Sequence, residues 1–389
     1  MKSKIDYFII SFKASIMTFF SPCLKIDNEK IIVDNFLGKG YGDNGKYIIE
    51  NLHKLNTSYK IIWVVRKMDE EMPDYIKKVK YGSFKSLYHY ATSKIWIDNV
   101  RNNIKPKKKQ EQYYLQTWHG PFSSKKIERM AASTLSTEYV KLAKKDGKIA
   151  NAILSNSHIQ NIQYKNWFWL DKNVEILKLG FPRNDYLINN QNNRKLIQEV
   201  KKRLNIKNNN YLILYAPTFR DDFSIDGYKI DFSRVLKQFE KKTNKKCKIL
   251  IRMHPNVQKY SKCINYSDDI LNVTSYPNMQ DLSLISDAII SDYSSTLFDF
   301  AIQKKPAFIC ALDIDNYKKT RGLVDEYFSY PFPFSTTNDD LLTNIEKFDY
   351  EKYLKNLQNY FETNPLYDDG LATINICNLL IKICRKEDK

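Results

Sequence analysis

Short runs of β-branched and other apolar residues alternate along this chain with longer stretches whose apolar positions recur at helical spacing. A short apolar run bounded by turn residues reads as a buried strand, and regular alternation of strand with helix marks parallel-sheet units. In the first half the pattern predicts strands at 30–35, 60–65, 94–98, 112–117, 152–155 and 174–179. Helices lie between them, among them 44–55, 86–92 and 138–146. Residues 189–210 are rich in Asn, Gln, Lys and Arg, carry a polar helix pattern, and are expected to lead out of a first domain. Strands then resume at 211–216, 248–252, 271–274, 287–291 and 306–310. A last helix, around 373–384, is placed to cross back onto the first domain.

The first twenty residues carry Ile5, Phe8, Ile9, Phe12, Ile16, Phe19 and Phe20 at helical spacing after a basic start. Lys13 interrupts the apolar run and no small-residue cleavage site follows, so a secretory leader does not fit. The run is also too short and too interrupted to span a bilayer. Two readings stay open: a first helix packed on the core, or a helix lying in a membrane interface. The organisation expected is an amphipathic segment at 1–28, one Rossmann-like domain at 29–200, a second at 201–365, and a returning helix at 366–389. The fold class is α/β, with two doubly wound parallel sheets facing across a cleft.

Composition narrows this picture only in part. A chain of 389 residues suits two domains of roughly 150–200 residues. The formal charge of +18 calls for a polyanionic partner: nucleic acid, an anionic membrane face or a phosphate-rich substrate. Basic residues are spread along the chain without interleaved aromatics on one element, which argues against nucleic acid. The run Lys105-Pro106-Lys107-Lys108-Lys109 reads as a solvated loop, with charge that could help hold an anionic surface. Six cysteines show no C-x-x-C spacing, so neither a disulfide framework nor a zinc site is expected, and a reducing cytoplasm fits.

Candidate chemistry collects at strand ends, where open α/β folds bind ligands. Only five histidines occur, and two end apolar runs in matched settings: His119 in Thr117-Trp118-His119-Gly120-Pro121, and His254 in Arg252-Met253-His254-Pro255. A histidine there can take a proton near neutral pH or bond a phosphate oxygen. His53, His89 and His158 read as structural. Ser294 and Ser295 open a helix after Ser291-Asp292, and helix starts attract anions. Arg220, after Ala216-Pro217-Thr218-Phe219, and Arg252 could each clamp phosphate in bidentate fashion. Arg183, in Gly180-Phe181-Pro182-Arg183, adds a third arginine. The Gly-rich stretch from Gly38 to Gly45 fits neither a P-loop nor a dinucleotide fingerprint and reads as a flexible loop. Asp313-Ile314-Asp315 has a D-x-D form but reads as surface loop, so no metal site is assigned and a divalent cation is left open.

These motifs, with Gly42-Asp43-Asn44, Arg321-Gly322 and Pro331-Phe332-Pro333, run in order over about residues 30–335. In that order the chain resembles the CDP-glycerol glycerophosphotransferases, the teichoic acid primases and polymerases of bacteria. The resemblance implies a GT-B-like fold, a CDP-glycerol or CDP-ribitol donor and a lipid-linked acceptor. It also implies a peripheral position on the cytoplasmic face of the cell membrane. Catalysis would fall to His119 as general base, and to His254 with Arg252 and the Ser294/Ser295 helix start on the donor phosphates. Donor binding would involve Trp118, Gly120, Arg183, Thr218, Arg220, Arg252, Ser291, Asp292, Ser294 and Ser295. The competing readings are a GT-B glycosyltransferase, for which Asp292 is the one strong carboxylate, and a nucleic-acid binder.

Overall fold

The computed structural model describes residues 2–55, 58–102, 104–120, 124–220, 224–253 and 264–385, with side chains from residue 8. Its first sheet is built from β1 (Asp27–Asp34), β2 (Lys60–Val65), β3 (Ile76–Lys80), β4 (Ser93–Asp98), β5 (Tyr113–Gln116), β6 (Ala152–Ser155) and β7 (Glu175–Lys178). The order is β3-β2-β1-β4-β5-β6-β7, and every neighbouring pair is parallel. The second sheet uses β8 (Tyr211–Tyr215), β9 (Cys247–Ile251), β10 (Ile270–Asn272), β11 (Ala288–Ser291), β12 (Ala307–Cys310) and β13 (Phe334–Ser335). Its order is β10-β9-β8-β11-β12-β13, again parallel throughout. Both are doubly wound Rossmann-type sheets, the pair of folds that makes a GT-B-like protein. In each sheet the strand order reverses once, between β1 and β4 in the first and between β8 and β11 in the second. Chains leaving such a reversal point part, and the gap between them is where ligands enter.

The apolar runs become strands because helices cover both faces and leave no strand side in water. In the first sheet Ile31, Val33, Ile61, Trp63, Ile95 and Leu115 pack with Ile48 and Leu52 of helix Asp43–Leu55, and with Ile376 and Leu380 of helix Ala372–Arg385. Gly45 allows the close approach of that first helix: a Cβ there would lie 2.8 Å from Val33 Cγ1. Ile213, Ile249, Ile290 and Phe308 form the matching core of the second sheet with Val235 and Phe239.

Two strands escape the sequence pattern. β3 is an edge strand of sequence Ile-Lys-Lys-Val-Lys with only its two apolar positions buried, and β13 is two residues long. The chain forms two compact units, one of Met1–His119, Leu135–Asp185 and Leu366–Lys389, the other of Gly120–Thr134 and Tyr186–Pro365. The passage between them therefore falls earlier than residue 200. Tyr186 donates its hydroxyl to Asp281 at 2.6 Å, and helix Arg194–Arg203 packs on helix Met279–Ile285. Residues 120–134 join the second unit through backbone bonds of Ser124 and Lys126 with Val324 and Gly322, each 3.1 Å. The last helix belongs to the first unit, where Asp185 accepts from Ala372 N–H and Thr373 N–H at its start.

The N-terminal helix, Lys2–Phe20, is packed on the core along one face, as the first of the two readings expects, and leaves another face in water. Ile10, Ala14 and Met17 pack against Tyr81, Leu87 and Ile104, while Phe8, Phe12 and Phe19 stay exposed. Among the described residues no helix is long and apolar enough to cross a membrane. The basic run at 105–109 departs from its reading as a solvated loop. Lys105 is buried, with Nζ 2.5 Å from Asp98 Oδ2 and 3.2 Å from Asp146 Oδ1.

Candidate active site

In the first unit the polar residues gather where β1, β4 and β5 end. His119 Nδ1 lies 2.7 Å from the Asn99 carbonyl. A carbonyl can only accept, so Nδ1 carries the proton and Nε2 is the basic nitrogen of the neutral ring. The backbone of His119 is held as well, since Arg183 Nη1 donates to its carbonyl at 2.9 Å. Asn99 is itself fixed, its amide donating to Asn35 Oδ1 at 2.7 Å and Asp43 Oδ2 at 2.8 Å. Arg183 lies 3.7 Å from the other oxygen of Asp43, and its backbone N–H donates to Asn44 Oδ1. Trp118 and Asp43 both adopt left-handed backbone, at φ 53°. Such residues cost about 1–3 kcal/mol each and persist only when surroundings hold them. For Trp118 the restraint is its N–H on Gln116 Oε1 at 3.0 Å and its carbonyl on Asn44 Nδ2 at 3.3 Å. The Gly-rich loop expected to be flexible is also tied down: Gly38 N–H donates to Asp34, and Asn35 donates to the carbonyls of Lys39 and Gly40.

Beneath this layer Asp34, Asp98 and Asp146 are buried with two cations, Arg101 and Lys105. Three carboxylates against two cations leave one carboxyl better off neutral. Burial first, and Asp98 second, push the Asp34 pKa up to about 8. An unfolded Asp titrates near 4. Between about pH 4 and 8 the native chain therefore holds a proton that the unfolded chain has released. The stabilisation is full below about 4, declines as pH rises at up to about 1.4 kcal/mol per pH unit, and is gone above about 8. Asp34→Asn, neutral at every pH, should flatten this slope in urea midpoints measured from pH 5 to 9. Equal slopes for both proteins would exclude the assignment.

In the second unit the loops after β8 and β11 meet at the reversal point. Asp292 Oδ1 accepts from Thr218 N–H at 2.8 Å and from Tyr293 N–H at 2.7 Å. Ser291 donates its hydroxyl to the Ala216 carbonyl at 2.6 Å, so it braces the backbone. Arg220 does not stand open to a phosphate. Its Nε and Nη2 bind Asp313 at 2.6 and 2.9 Å, Nη2 is 2.8 Å from Asp292, and Nη1 donates to the Thr218 carbonyl. Burial works against the guanidinium's charge, but Asp292 and Asp313 more than offset it and hold its pKa above the ordinary value. Asp313 is accordingly a buried counter-ion and not part of a surface loop; Tyr293 also donates to it. Among the described residues no group of three or more His, Cys, Asp or Glu side chains is arranged to hold a metal.

Arg252 is the contrasting case. Half-buried at the end of β9, it donates Nη1 to the Tyr276 carbonyl at 2.7 Å. Among the described residues no carboxylate lies within ion-pair distance of it. Burial lowers its pKa to about 10, which marks a cation held without a local anion. Tyr276 is anchored in turn by its hydroxyl on Asp281 Oδ2 at 2.9 Å, an arrangement no sequence motif announced. Ser294 Oγ accepts from Thr296 N–H at 3.3 Å, while Ser295, the N-cap residue of helix Thr296–Ile302, makes no side-chain cap bond. Gly120 comes close to it: a Cβ there would sit 2.7 Å from Ser295 Oγ. Thr218 Oγ1 is buried with no hydrogen-bond partner among the described residues. His254 lies outside the described residues. Of the three remaining histidines, His53 stacks on Tyr75 with ring centroids 3.7 Å apart. His89 is buried, which lowers its pKa to about 4.

Residues 16–382 match the family described as CDP-Glycerol:Poly(glycerophosphate) glycerophosphotransferase. The chain belongs to this family. Among its relatives it is 31% identical over 380 residues to a teichoic acid poly(glycerol phosphate) polymerase of Staphylococcus epidermidis, covering 93% of this chain and 52% of that protein. It is 30% identical over 381 residues to a teichoic acid glycerol-phosphate transferase of Staphylococcus aureus, covering 95% and 97%. The chain thus spans about half the length of the first and nearly all of the second. A solved structure of the wall teichoic acid polymerase TagF, a histidine variant soaked with CDPG, superposes with a TM-score of 0.81 at 28% identity. That match covers 92% of this chain and 90% of the other.

Proposed function

We propose that this family member transfers glycerol phosphate from CDP-glycerol to a hydroxyl of a lipid-linked teichoic acid intermediate and releases CMP. It would do so as a peripheral protein on the cytoplasmic face of the membrane. The acceptor oxygen forms a bond to the phosphorus bearing glycerol, the bond from that phosphorus to the bridging oxygen breaks, and CMP leaves with the electron pair. His119 Nε2 takes the hydroxyl proton. Such a transfer needs in-line positioning and charge neutralisation more than covalent help from the protein. The observation that carries the reading is the imidazole of His119, its tautomer set by the Asn99 carbonyl and its backbone held by Arg183. Support also comes from the similarity to the S. aureus glycerol-phosphate transferase over almost its whole length.

Arg252 takes the donor phosphates in this scheme, with the helix start at Ser294 and Ser295 and the Thr218 hydroxyl as neutral donors. Arg220 and Asp292 hold the loops that present them. Arg252→Ala is expected to raise the KM for CDP-glycerol about tenfold or more, because a charge-assisted bond contributes about 1.5–3 kcal/mol. Its thermal midpoint should stay near that of the parent, and an unchanged KM would remove the assignment. The glycosyltransferase reading asks for a carboxylate at the donor sugar, yet both oxygens of Asp292 are engaged within its own unit. The deciding experiment measures CMP release from CDP-glycerol and CDP-ribitol separately, with a lipid-linked glycerol phosphate acceptor. Acceptor-dependent release from CDP-glycerol supports the proposal, release from CDP-ribitol alone moves the donor to ribitol, and release from neither overturns the reaction class.

A further inference from the structure

The turn after β1 holds three consecutive residues in the left-handed region, Phe36 at φ 46°, Leu37 at 59° and Gly38 at 80°. Glycine takes such values freely, but a bulky side chain does so at a cost, and left-handed residues come singly as a rule. Hydrogen bonds fix this turn from three sides. Phe36 N–H donates to Asn99 Oδ1 at 2.8 Å, Gly38 N–H to Asp34 Oδ1 at 2.7 Å, and Arg66 Nε to the Leu37 carbonyl at 2.8 Å. The strained turn sets the Phe36 ring beside His119, with centroids 5.5 Å apart and the planes at 60°. Asn99 ties the two together, its side chain holding the Phe36 backbone and its carbonyl holding His119 Nδ1. Yet Phe36 is 37% exposed, so the turn gains little burial in return. Trp118, the other left-handed aromatic against the imidazole, is 9% exposed and packs on Phe168, so core packing accounts for it.

Strain that is held in place where it buries little points to function and not to packing. We propose that Phe36 selects the attacking group: its ring is the apolar wall on which the C–H face of the acceptor's polyol end packs, so that a polyol hydroxyl and not water meets His119 Nε2. This role rests on the reaction proposed above and adds to it the choice of nucleophile. Without the wall, water enters the same chemistry. Its oxygen bonds to the phosphorus bearing glycerol, the bond from that phosphorus to the bridging oxygen breaks, and CMP leaves with the electron pair. One water proton passes to His119 Nε2, and the product is free glycerol phosphate. Keeping water from a reactive centre is a task that apolar side chains perform at enclosed sites, and here a ring in contact with the base is placed to do it.

The test gives the full chain CDP-glycerol labelled in its glycerol, with and without the lipid-linked glycerol phosphate acceptor. Free and acceptor-bound glycerol phosphate are then counted separately. Phe36→Gly removes the ring and relieves the turn, so its thermal midpoint should not fall. Its ratio of transfer to hydrolysis should drop about tenfold, the scale of an edge-to-face aromatic contact. Hydrolysis should rise and the KM for the acceptor should rise with it. Phe36→Tyr keeps the ring and should keep the parental ratio. An unchanged ratio in Phe36→Gly would overturn the role. So would transfer and hydrolysis falling by the same factor, because the ring would then only steady the imidazole. No CMP release by the parent chain with acceptor present would overturn the reaction itself, and the role of Phe36 with it.

Discussion

His119→Ala is expected to lower acceptor-dependent CMP release about 10²–10⁴-fold, the usual contribution of a positioned general base. The size of the effect follows from how completely the ring is prepared. The Asn99 carbonyl leaves the neutral imidazole one protonation pattern, with its basic nitrogen at Nε2. Asn99 is held in turn by Asn35 and Asp43, residues of two other segments at the ends of their elements. CDP-glycerol affinity, measured by equilibrium titration, should change little, because the proposed phosphate contacts belong to Arg252 and the loops after β8 and β11. A kcat within threefold of the parent would exclude His119 as the base. A joint loss of affinity and rate would mean instead that the residue binds the donor.

Arg220→Ala is expected to destabilise the protein by about 3–5 kcal/mol, the range for removing one partner from a buried ion group. The substitution strands Asp292 and Asp313 in the interior, each nearly inaccessible to water. It also takes a donor from the Thr218 carbonyl and a cation that lies 5.0 Å from the ring centroid of each of the stacked Tyr293 and Tyr317. In thermal unfolding the midpoint should fall by roughly 6–20 °C. Lysine should not rescue it, since one ammonium cannot reach two carboxylates and a carbonyl in the planar geometry that the guanidinium uses. Arg252→Ala supplies the control, with donor KM raised and stability kept. If Arg220→Ala unfolds at the parental midpoint and only KM moves, Arg220 is a direct phosphate ligand and the roles of the two arginines reverse.

These two arginines show what a linear sequence can carry. Arg220 and Arg252 stand in equivalent settings after strands and read as equal candidates for phosphate. Nothing in their neighbourhoods reveals that one has a carboxylate partner 93 positions away. Asp313 was visible as half of a D-x-D pattern, and Lys105 as part of a basic run. Each reads as solvent-facing until the fold supplies its partner. The Asp281 anchor behind Tyr276 gave no signal, because a single aspartate within a helix is ordinary surface chemistry by pattern alone.

The strands with strong apolar runs were legible because burial on both faces demands such runs regardless of which neighbours provide it. β3 was not, since an edge strand needs apolar residues on only part of one face, and its lysines look like loop. The N-terminal helix was legible as a helix but not as two-sided. Its apolar spacing records that those side chains share faces, without saying which face meets protein.

By itself the sequence determined the alternating α/β pattern, the positions of most strands, and the set of polar residues at their ends. Those follow from local periodicity and turn chemistry, which act over a few residues. The tertiary structure alone decided which charges are partnered, which unit residues 120–134 and 186–200 join, and which aromatic face stays in water. Those outcomes depend on groups distant in sequence coming within a few ångströms, where a buried cation's role is set by the nearest carboxylate and not by its own motif.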